Sequence, residues 1–183
     1  MERIKSITPH EATGKSKVLL DDINKILGMT PNLLRSMAQS PAVHEGYLKF
    51  SESLSAGELS VKLREQIALV VGESNGCIYC LSAHSAMGQI IGMSQEEILD
   101  SRRGESCESK SLAALRFAFK LVTMHGRVSD NDLSQIRRGG FTEGAIVEII
   151  ANVALNLLTN YFNLVAEPEV DYTAVPSLIE QQG

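Results

Sequence analysis

The chain of 183 residues lacks tryptophan, and its aromatic residues make up only 5% of the sequence. Its hydrophobic core must therefore consist mainly of Leu, Ile, Val, Ala and Met. Strands favour β-branched and aromatic residues, whereas Leu, Ala and Met favour helices. No segment of any length alternates apolar and polar residues with a period of two, so strands are not expected. Together these absences predict an all-α fold.

An excess of positive charge is also absent. The formal net charge is −5, whereas nucleic acids and anionic membranes are bound by basic surfaces. No apolar run approaches the roughly 20 residues of a membrane span, and residues 1–17 lack the apolar segment of a secretory signal. We therefore expect a cytoplasmic protein that has neither a nucleic-acid nor a membrane partner.

Glycine, proline and serine residues divide the sequence into nine helix-length segments. Ser40 before a proline is typical of a helix start, and Thr142 is predicted to cap a final helix that reaches about residue 166. Residues 101–108 are polar and are predicted to form a loop. The first helix, over about 16–27, has a predicted apolar side that comprises Val18, Leu19, Ile23, Ile26 and Leu27.

The length suits one compact domain, or two repeated halves that share a core. We expect one all-helical domain over 1–183, with its core at about 21–165 and a C-terminal tail over 167–183. A shift of 83 positions aligns apolar helical segments, which indicates either an internal duplication of a helical unit or a chance similarity. This shift superposes Glu65 on Glu148, and Cys77, Cys80 and His84 on Asn160, Asn163 and Glu167 respectively.

Two of the three cysteines, Cys77 and Cys80, are separated by two residues, and His84 follows one helical turn later. On a helix these three side chains lie on one face. Cysteines spaced i, i+3 at a helix start can form a disulfide, for which the Cα atoms must lie about 4.4–6.8 Å apart. Unpaired N–H groups and the helix dipole favour a thiolate there, and His84 can accept or relay its proton.

Glu65 can reach these thiols only if the chain folds back. In an unbroken helix it would lie about 18 Å from Cys77, given a rise of about 1.5 Å per residue. The sequence Ser74-Asn75-Gly76 provides the necessary break between them. The alternative interpretation is a solvated carboxylate that pairs with Lys62 or Arg64.

Other interpretations of the cysteines are a metal site and simple core packing. Two thiolates, an imidazole and Glu65 form a plausible tetrahedral zinc shell. Structural zinc, however, usually joins two ligand pairs, and the sequence has no second Cys/His pair, so we expect no metal. Two cysteines at this spacing beside a histidine rarely serve only to fill a core, whereas the isolated Cys107 is interpreted in that way.

The pattern Glu65, eleven residues, Cys77, two residues, Cys80, three residues, His84 resembles the carboxymuconolactone decarboxylase superfamily. The similarity is closest to its alkyl hydroperoxidase branch, the AhpD-like proteins. It extends from about residue 21 to 165. The resemblance implies an AhpD-like helical bundle, a tendency to duplicate a helical unit, and a homo-oligomer that is a trimer or a hexamer.

The resemblance also implies roles for these four residues. Cys80 would attack the peroxide oxygen as a thiolate, and Cys77 would resolve the resulting sulfenic acid as a disulfide. His84 and Glu65 would relay the proton of Cys80, through a water molecule. The helix dipole alone favours Cys77 as the thiolate, so attack by Cys80 depends on this relay reaching it.

The leading hypothesis is therefore a peroxidase that reduces organic hydroperoxides. It needs no bound cofactor, only an external dithiol donor such as a lipoylated or thioredoxin-like protein. The alternatives are a thiol–disulfide oxidoreductase or redox sensor, a decarboxylase, and a zinc-stabilised structural module. Tyr79 departs from the family pattern, because the best-known peroxidases have a histidine between the cysteines. Tyrosine, with an unperturbed pKa of about 10, is a poor base at neutral pH.

Overall fold

The computed structural model describes residues 2–178, and over that range it contains nine α-helices and no β-strand. The all-α prediction is therefore confirmed. The helices are α1 (Gly14–Leu27), α2 (Asn32–Met37), α3 (Pro41–Ser55), α4 (Val61–Ser74), α5 (Ile78–Ile90), α6 (Gln95–Arg102), α7 (Ser109–Thr123), α8 (Asp130–Arg138) and α9 (Glu143–Ala166).

The predicted N-caps are present at the helix starts. The Ser40 hydroxyl accepts a hydrogen bond from the backbone N–H of Val43, and the Thr142 hydroxyl accepts one from Ala145. Each cap satisfies a first-turn N–H group that has no partner within the helix. Local sequence therefore determines where α3 and α9 begin.

Helix α4 occupies the centre of the fold. It packs against α5, α6, α7 and α9, and every residue from Gln66 to Glu73 is buried. Its apolar residues form the main core together with residues of α7, α8 and α9. A helix surrounded in this way holds its side chains rigidly, which suits it to positioning a functional group.

Helix α9 has the predicted start and end, at Thr142 and Ala166, but it is more apolar than the sequence pattern indicated. Over an 18-residue window its mean hydropathy is 1.4, so by length and composition it meets the criteria for a membrane span. Yet 44% of that window is buried inside the fold, and its inner face carries the buried Asn152, Asn156, Asn160 and Asn163. Core helices often meet the same criteria, so this observation leaves the expected absence of a membrane partner untested.

The segment 167–178 has no regular secondary structure and folds back over α4, α5 and α6. Ser82 on α5 accepts a hydrogen bond from the backbone N–H of Val175. Arg102 at the end of α6 donates to the carbonyl of Pro176. The predicted tail is therefore irregular but docked on the helices as far as it is described, and its residues 179–183 lie outside the described residues.

The two segments related by the shift of 83 positions are both helical but have different shapes. The first is broken between α4 and α5, whereas the second is the single continuous helix α9. Asn163, the counterpart of Cys80, nevertheless touches Cys80 directly. The structure thus places the two segments side by side at the cysteine pair.

Candidate active site

The turn between α4 and α5 folds the chain back on itself. Gly76 has a positive φ of 64°, a conformation that glycine adopts without steric cost. The N–H of Cys77 donates to the carbonyl of Gly72 at 3.0 Å. The Asn75 amide donates to the carbonyl of Val71 and to Oδ1 of Asn160 on α9. These contacts fix the direction in which α5 leaves the turn.

The cysteine pair lies at the start of α5 and is joined by a disulfide. Cys77 is the N-cap residue, and its Sγ accepts a hydrogen bond from the N–H of Cys80 at 3.3 Å. The two Cα atoms are 5.3 Å apart. Cys77 is 1% exposed and Cys80 is 3% exposed. The geometry predicted from the spacing of the pair is therefore present.

Folding back brings Glu65 to His84. Nδ1 of His84 lies 2.7 Å from Oε2 of Glu65, whereas Lys62 pairs with Glu97 instead. A carboxylate only accepts hydrogen bonds, so it holds the proton of a neutral imidazole on Nδ1. The unprotonated nitrogen is then Nε2, which is free to take up a proton. The pair has the arrangement of a base and the carboxylate that orients it.

A cavity of about 220 Å³ joins these groups. Cys80, His84 and Glu65 all line it, whereas Cys77 does not. A small molecule that enters the cavity therefore meets Cys80 and not Cys77. The remaining walls are partly apolar and partly polar, and they include Leu33, Tyr47, Leu54, Arg64, Ala68, Leu155 and the α9 residues Asn152, Asn156, Thr159 and Asn163.

Tyr79, between the cysteines, has its hydroxyl engaged in structural contacts. The hydroxyl accepts a hydrogen bond from the buried N–H of Leu33 and donates one to Asp171. Burial, together with the bond to Asp171, strongly raises the pKa of Tyr79. This residue therefore joins α2, α5 and the C-terminal segment, and it supplies no base at neutral pH.

Asn163 and Tyr47 are among the cavity residues that were not predicted from the sequence. Nδ2 of Asn163 lies 3.3 Å from Sγ of Cys80, and the shift of 83 positions was the only signal that related them. Tyr47 on α3 lines the cavity. Burial raises the pKa of Tyr47, with a further contribution from the negative charge of Glu65. No sequence pattern pointed to Tyr47.

Within residues 2–178, no group of three or more His, Cys, Asp or Glu side chains is arranged to hold a metal ion. Glu65 and His84 contact each other, and the two sulfurs contact each other, as separate pairs. The expectation of a metal-free protein remains a prediction.

Fold and site together define a class: an all-helical protein with a cysteine pair at a helix start and a His–Glu pair on the same cavity. Residues 41–123 match the model of the carboxymuconolactone decarboxylase family. This range contains Glu65, Cys77, Cys80 and His84. The resemblance predicted from their spacing is therefore confirmed over this part of the chain.

Solved structures extend the similarity to nearly the whole chain. An alkylhydroperoxidase AhpD-core, peroxidase-related protein from Ralstonia eutropha JMP134 superposes with a TM-score of 0.84 at 20% identity, covering 93% of this chain and 92% of that one. A peroxidase-related protein from Silicibacter sp. TM1040 superposes with a TM-score of 0.78 at 25% identity. The match covers 93% of this chain and 95% of that one. The predicted AhpD-like helical bundle is thus confirmed.

The same fold is found in a protein that is named for a different activity. The debrominase Bmp8, in complex with 2,3,4-tribromopyrrole, superposes with a TM-score of 0.79 at 18% identity, covering 93% of this chain and 92% of that one. No curated protein sequence shows significant similarity to the chain. The fold alone therefore does not decide the reaction, which must be argued from the site.

Proposed function

We propose that this protein is a thiol-dependent peroxidase that reduces organic hydroperoxides. One observation carries the proposal: Cys80 shares a cavity with the His84–Glu65 pair, and Cys77 lies behind it within disulfide distance. A nucleophile, a base and a resolving thiol are the groups that this reaction needs. The family match and the fold of the peroxidase-related neighbours support an oxidoreductase.

The reaction begins from the reduced dithiol. Nε2 of His84 takes the proton of Cys80, while Glu65 stabilises the imidazolium that forms. The thiolate attacks one oxygen of the O–O bond, an S–O bond forms, and the alkoxide leaves with the proton from His84 as an alcohol. The Cys77 thiol then displaces water from the sulfenic acid of Cys80, which closes the disulfide before further oxidation.

An external dithiol must reopen the disulfide to complete the cycle. Its first thiolate attacks one sulfur of the pair, and its second thiol releases the mixed disulfide. A lipoylated or thioredoxin-like protein has the required chemistry, and no bound cofactor takes part. Such a cycle suits the cytoplasm, where disulfides are continuously reduced.

Mass spectrometry tests the proposal directly. The reduced protein is mixed with an equimolar amount of cumene hydroperoxide, and we expect the loss of two hydrogens as the disulfide forms. The Cys77→Ser variant should yield a sulfenic acid at Cys80 that dimedone traps. The Cys80→Ser variant should not react at Cys77, because Cys77 does not line the cavity. A reduced wild-type protein that peroxide leaves unchanged would exclude the peroxidase.

One observation favours a second function, a thiol–disulfide oxidoreductase or redox sensor with the same disulfide. The hydroxyl of Tyr79 is bound to Leu33 and Asp171, so it adds no second base near the thiols. Rapid exchange of the reduced protein with oxidised lipoamide, without a reaction with peroxide, would favour this function.

We also propose a homo-oligomer, a trimer or a hexamer, that uses the outer face of α9. Apolar side chains at helical spacing are exposed there, namely Val147, Ile150, Leu158, Tyr161 and Val165. Beside them lies an apolar groove of about 350 Å³ between α7 and α9. Such surfaces usually mark association sites, and light scattering measures the number of subunits.

A further inference from the structure

The two sulfurs of the disulfide receive hydrogen bonds from different sources. Cys77 Sγ accepts from the backbone N–H of Cys80, within the first turn of α5. Cys80 Sγ accepts from the side-chain amide of Asn163, on α9, at 3.3 Å. When the disulfide opens, an anionic sulfur accepts such a bond far more strongly than a disulfide sulfur does. The donor from α9 therefore acts on Cys80 alone.

Asn163 differs from the other asparagines of the cavity wall. Asn152 and Asn156 each donate Nδ2 to a carbonyl four residues earlier in their own helix, so their amides bond locally. Asn163 donates outward, to the sulfur. It is only 5% exposed, and among residues 2–178 its Oδ1 has no hydrogen-bond partner. A buried amide whose one bond goes to a reactive sulfur points to a role in the chemistry of that sulfur.

We propose that Asn163 is a catalytic residue, which stabilises the Cys80 thiolate and so selects Cys80 over Cys77 as the attacking thiol. This inference rests on the proposed function and deepens it. The helix dipole acts most strongly on the N-cap residue, Cys77, which does not line the cavity. A charge-assisted hydrogen bond from Asn163 offsets that preference and places the negative charge on the sulfur that substrate can reach.

The test measures ionisation of Cys80 without peroxide, so it stands apart from the test of the proposed function. The parent protein carries Cys77→Ser and Cys107→Ser, which leaves Cys80 as the one thiol. The rate of its alkylation by iodoacetamide is followed against pH. In Asn163→Leu, we expect the pH at which half of Cys80 is ionised to rise by about one unit, a loss of roughly tenfold in thiolate below both midpoints.

Recovery at high pH separates this role from a packing role. Once both proteins are fully ionised, their alkylation rates should converge, because only the thiolate fraction differs. The matched control is Asn156→Leu, the same change on the same helix and cavity wall, where the amide bonds to Asn152 and not to sulfur. The midpoint, the pH at which half of Cys80 is ionised, should be the same in this control as in the parent protein. Asn163→Ala serves in the same comparison if Asn163→Leu does not fold.

Three results would overturn the proposal: an unchanged midpoint in the Asn163 variant, a slower reaction at every pH, or an equal shift in Asn156→Leu. If the midpoint shifts as expected but the wild-type protein ignores cumene hydroperoxide, Asn163 still tunes the thiol and the peroxidase is wrong. The two failures are thus distinguishable.

Discussion

At the scale of single residues, Tyr79 shows how a departure from the family pattern acquires a structural role. Its hydroxyl is the acceptor for the N–H of Leu33 at 3.1 Å and the donor to Asp171. The neighbouring Asp171 also accepts from the N–H of Asn32. The Tyr79 side chain thereby links α2, which precedes the cysteine pair in the sequence, to the C-terminal segment, which follows it.

Removal of this hydroxyl should therefore destabilise the fold. In Tyr79→Phe, the buried N–H of Leu33 loses its acceptor, and we expect the free energy of unfolding to fall by about 1–3 kcal/mol. Urea denaturation of the oxidised protein measures the change. Tyr172→Phe is the matched control, because the hydroxyl of Tyr172 makes no hydrogen bond to the described part of the chain, and we expect a change of about 0.5 kcal/mol or less there. Equal losses in the two variants would contradict this role.

The sequence reached four residues of the site, and the reason is local. Cys77, Cys80 and His84 lie within one helix start, and the break at Gly76 lets Glu65 return to His84. Their catalytic roles remain predictions. Asn163 and Tyr47 come from α9 and α3, which only tertiary packing brings to the cavity. Periodicity describes neighbours along a helix and carries no signal for such distant pairs. Only the shift of 83 positions related Asn163 to Cys80, and nothing pointed to Tyr47. Cys107, interpreted from the sequence as core packing, is instead exposed in the polar loop before α7.

At the scale of helices, the predicted segments are all present, but two details were wrong. The predicted loop at 101–108 begins too early, because α6 continues to Arg102 and buries Ser101 and Arg102. Their polar side chains suggested exposure, yet Ser101 bonds to a carbonyl of its own helix and Arg102 to Glu73. Burial of a paired polar side chain depends on a partner that periodicity does not reveal.

The apolar side predicted for α1 was also partly wrong. Ile23 is buried as expected, together with Leu20, but Val18 and Ile26 are 58% and 76% exposed. Helix α1 lies at the edge of the fold, where its main helix partner is α3. One neighbour covers only a narrow stripe of a helix, so an apolar pattern wider than that stripe overestimates the buried side.

Helix α8 gives a pH-dependent prediction. Asp132 forms a capping box with Ser129 and bonds to Lys120 of α7. The Lys120 hydrogen bond and then the N–H of Ser129 lower the pKa of Asp132 to about 2, against about 3.9 in an unfolded chain. The folded state therefore binds this proton less readily than the unfolded state. Its ionised form stabilises the fold above about pH 4, and that contribution is lost as the pH falls towards 2.

Thermal unfolding of Asp132→Asn across this range tests the prediction. We expect a Tm below that of the wild type at neutral pH, with a gap that closes as the pH falls from about 4 to 2, where the wild-type carboxyl is itself neutral. Asp130→Asn removes the same charge from the same first turn without breaking the capping box. At neutral pH, the Tm of Asp130→Asn should lie closer to that of the wild type than the Tm of Asp132→Asn does. A gap for Asp132→Asn that persists at pH 2 would contradict the linkage.

At the scale of the whole molecule, a buried ion pair between α4 and α6 also forms hydrogen bonds to the C-terminal segment. Nε of Arg102 lies 2.8 Å from Oε2 of Glu73 on α4, and both side chains are at least nine-tenths buried. The other oxygen of Glu73 accepts bonds from the Ser177 hydroxyl and the Leu178 N–H. Glu73 thus satisfies its charge with α6 on one side and the C-terminal segment on the other.

Loss of Arg102 should therefore weaken both the core and the docking of residues 175–178. In Arg102→Met, Glu73 remains buried without its cation, and the Pro176 carbonyl loses its donor. We expect the free energy of unfolding to fall by about 3–5 kcal/mol, and hydrogen exchange to accelerate at the N–H groups of Val175 and Leu178. The adjacent Arg103 provides the control, because its pair with Asp100 is long, at 3.8 Å, and exposed. Arg103→Met should change stability by about 0.5 kcal/mol or less. Equally slow exchange at Leu178 in both variants would contradict this role of the ion pair. The C-terminal segment would then be held on the helices by its contacts with Ser82 and Tyr79.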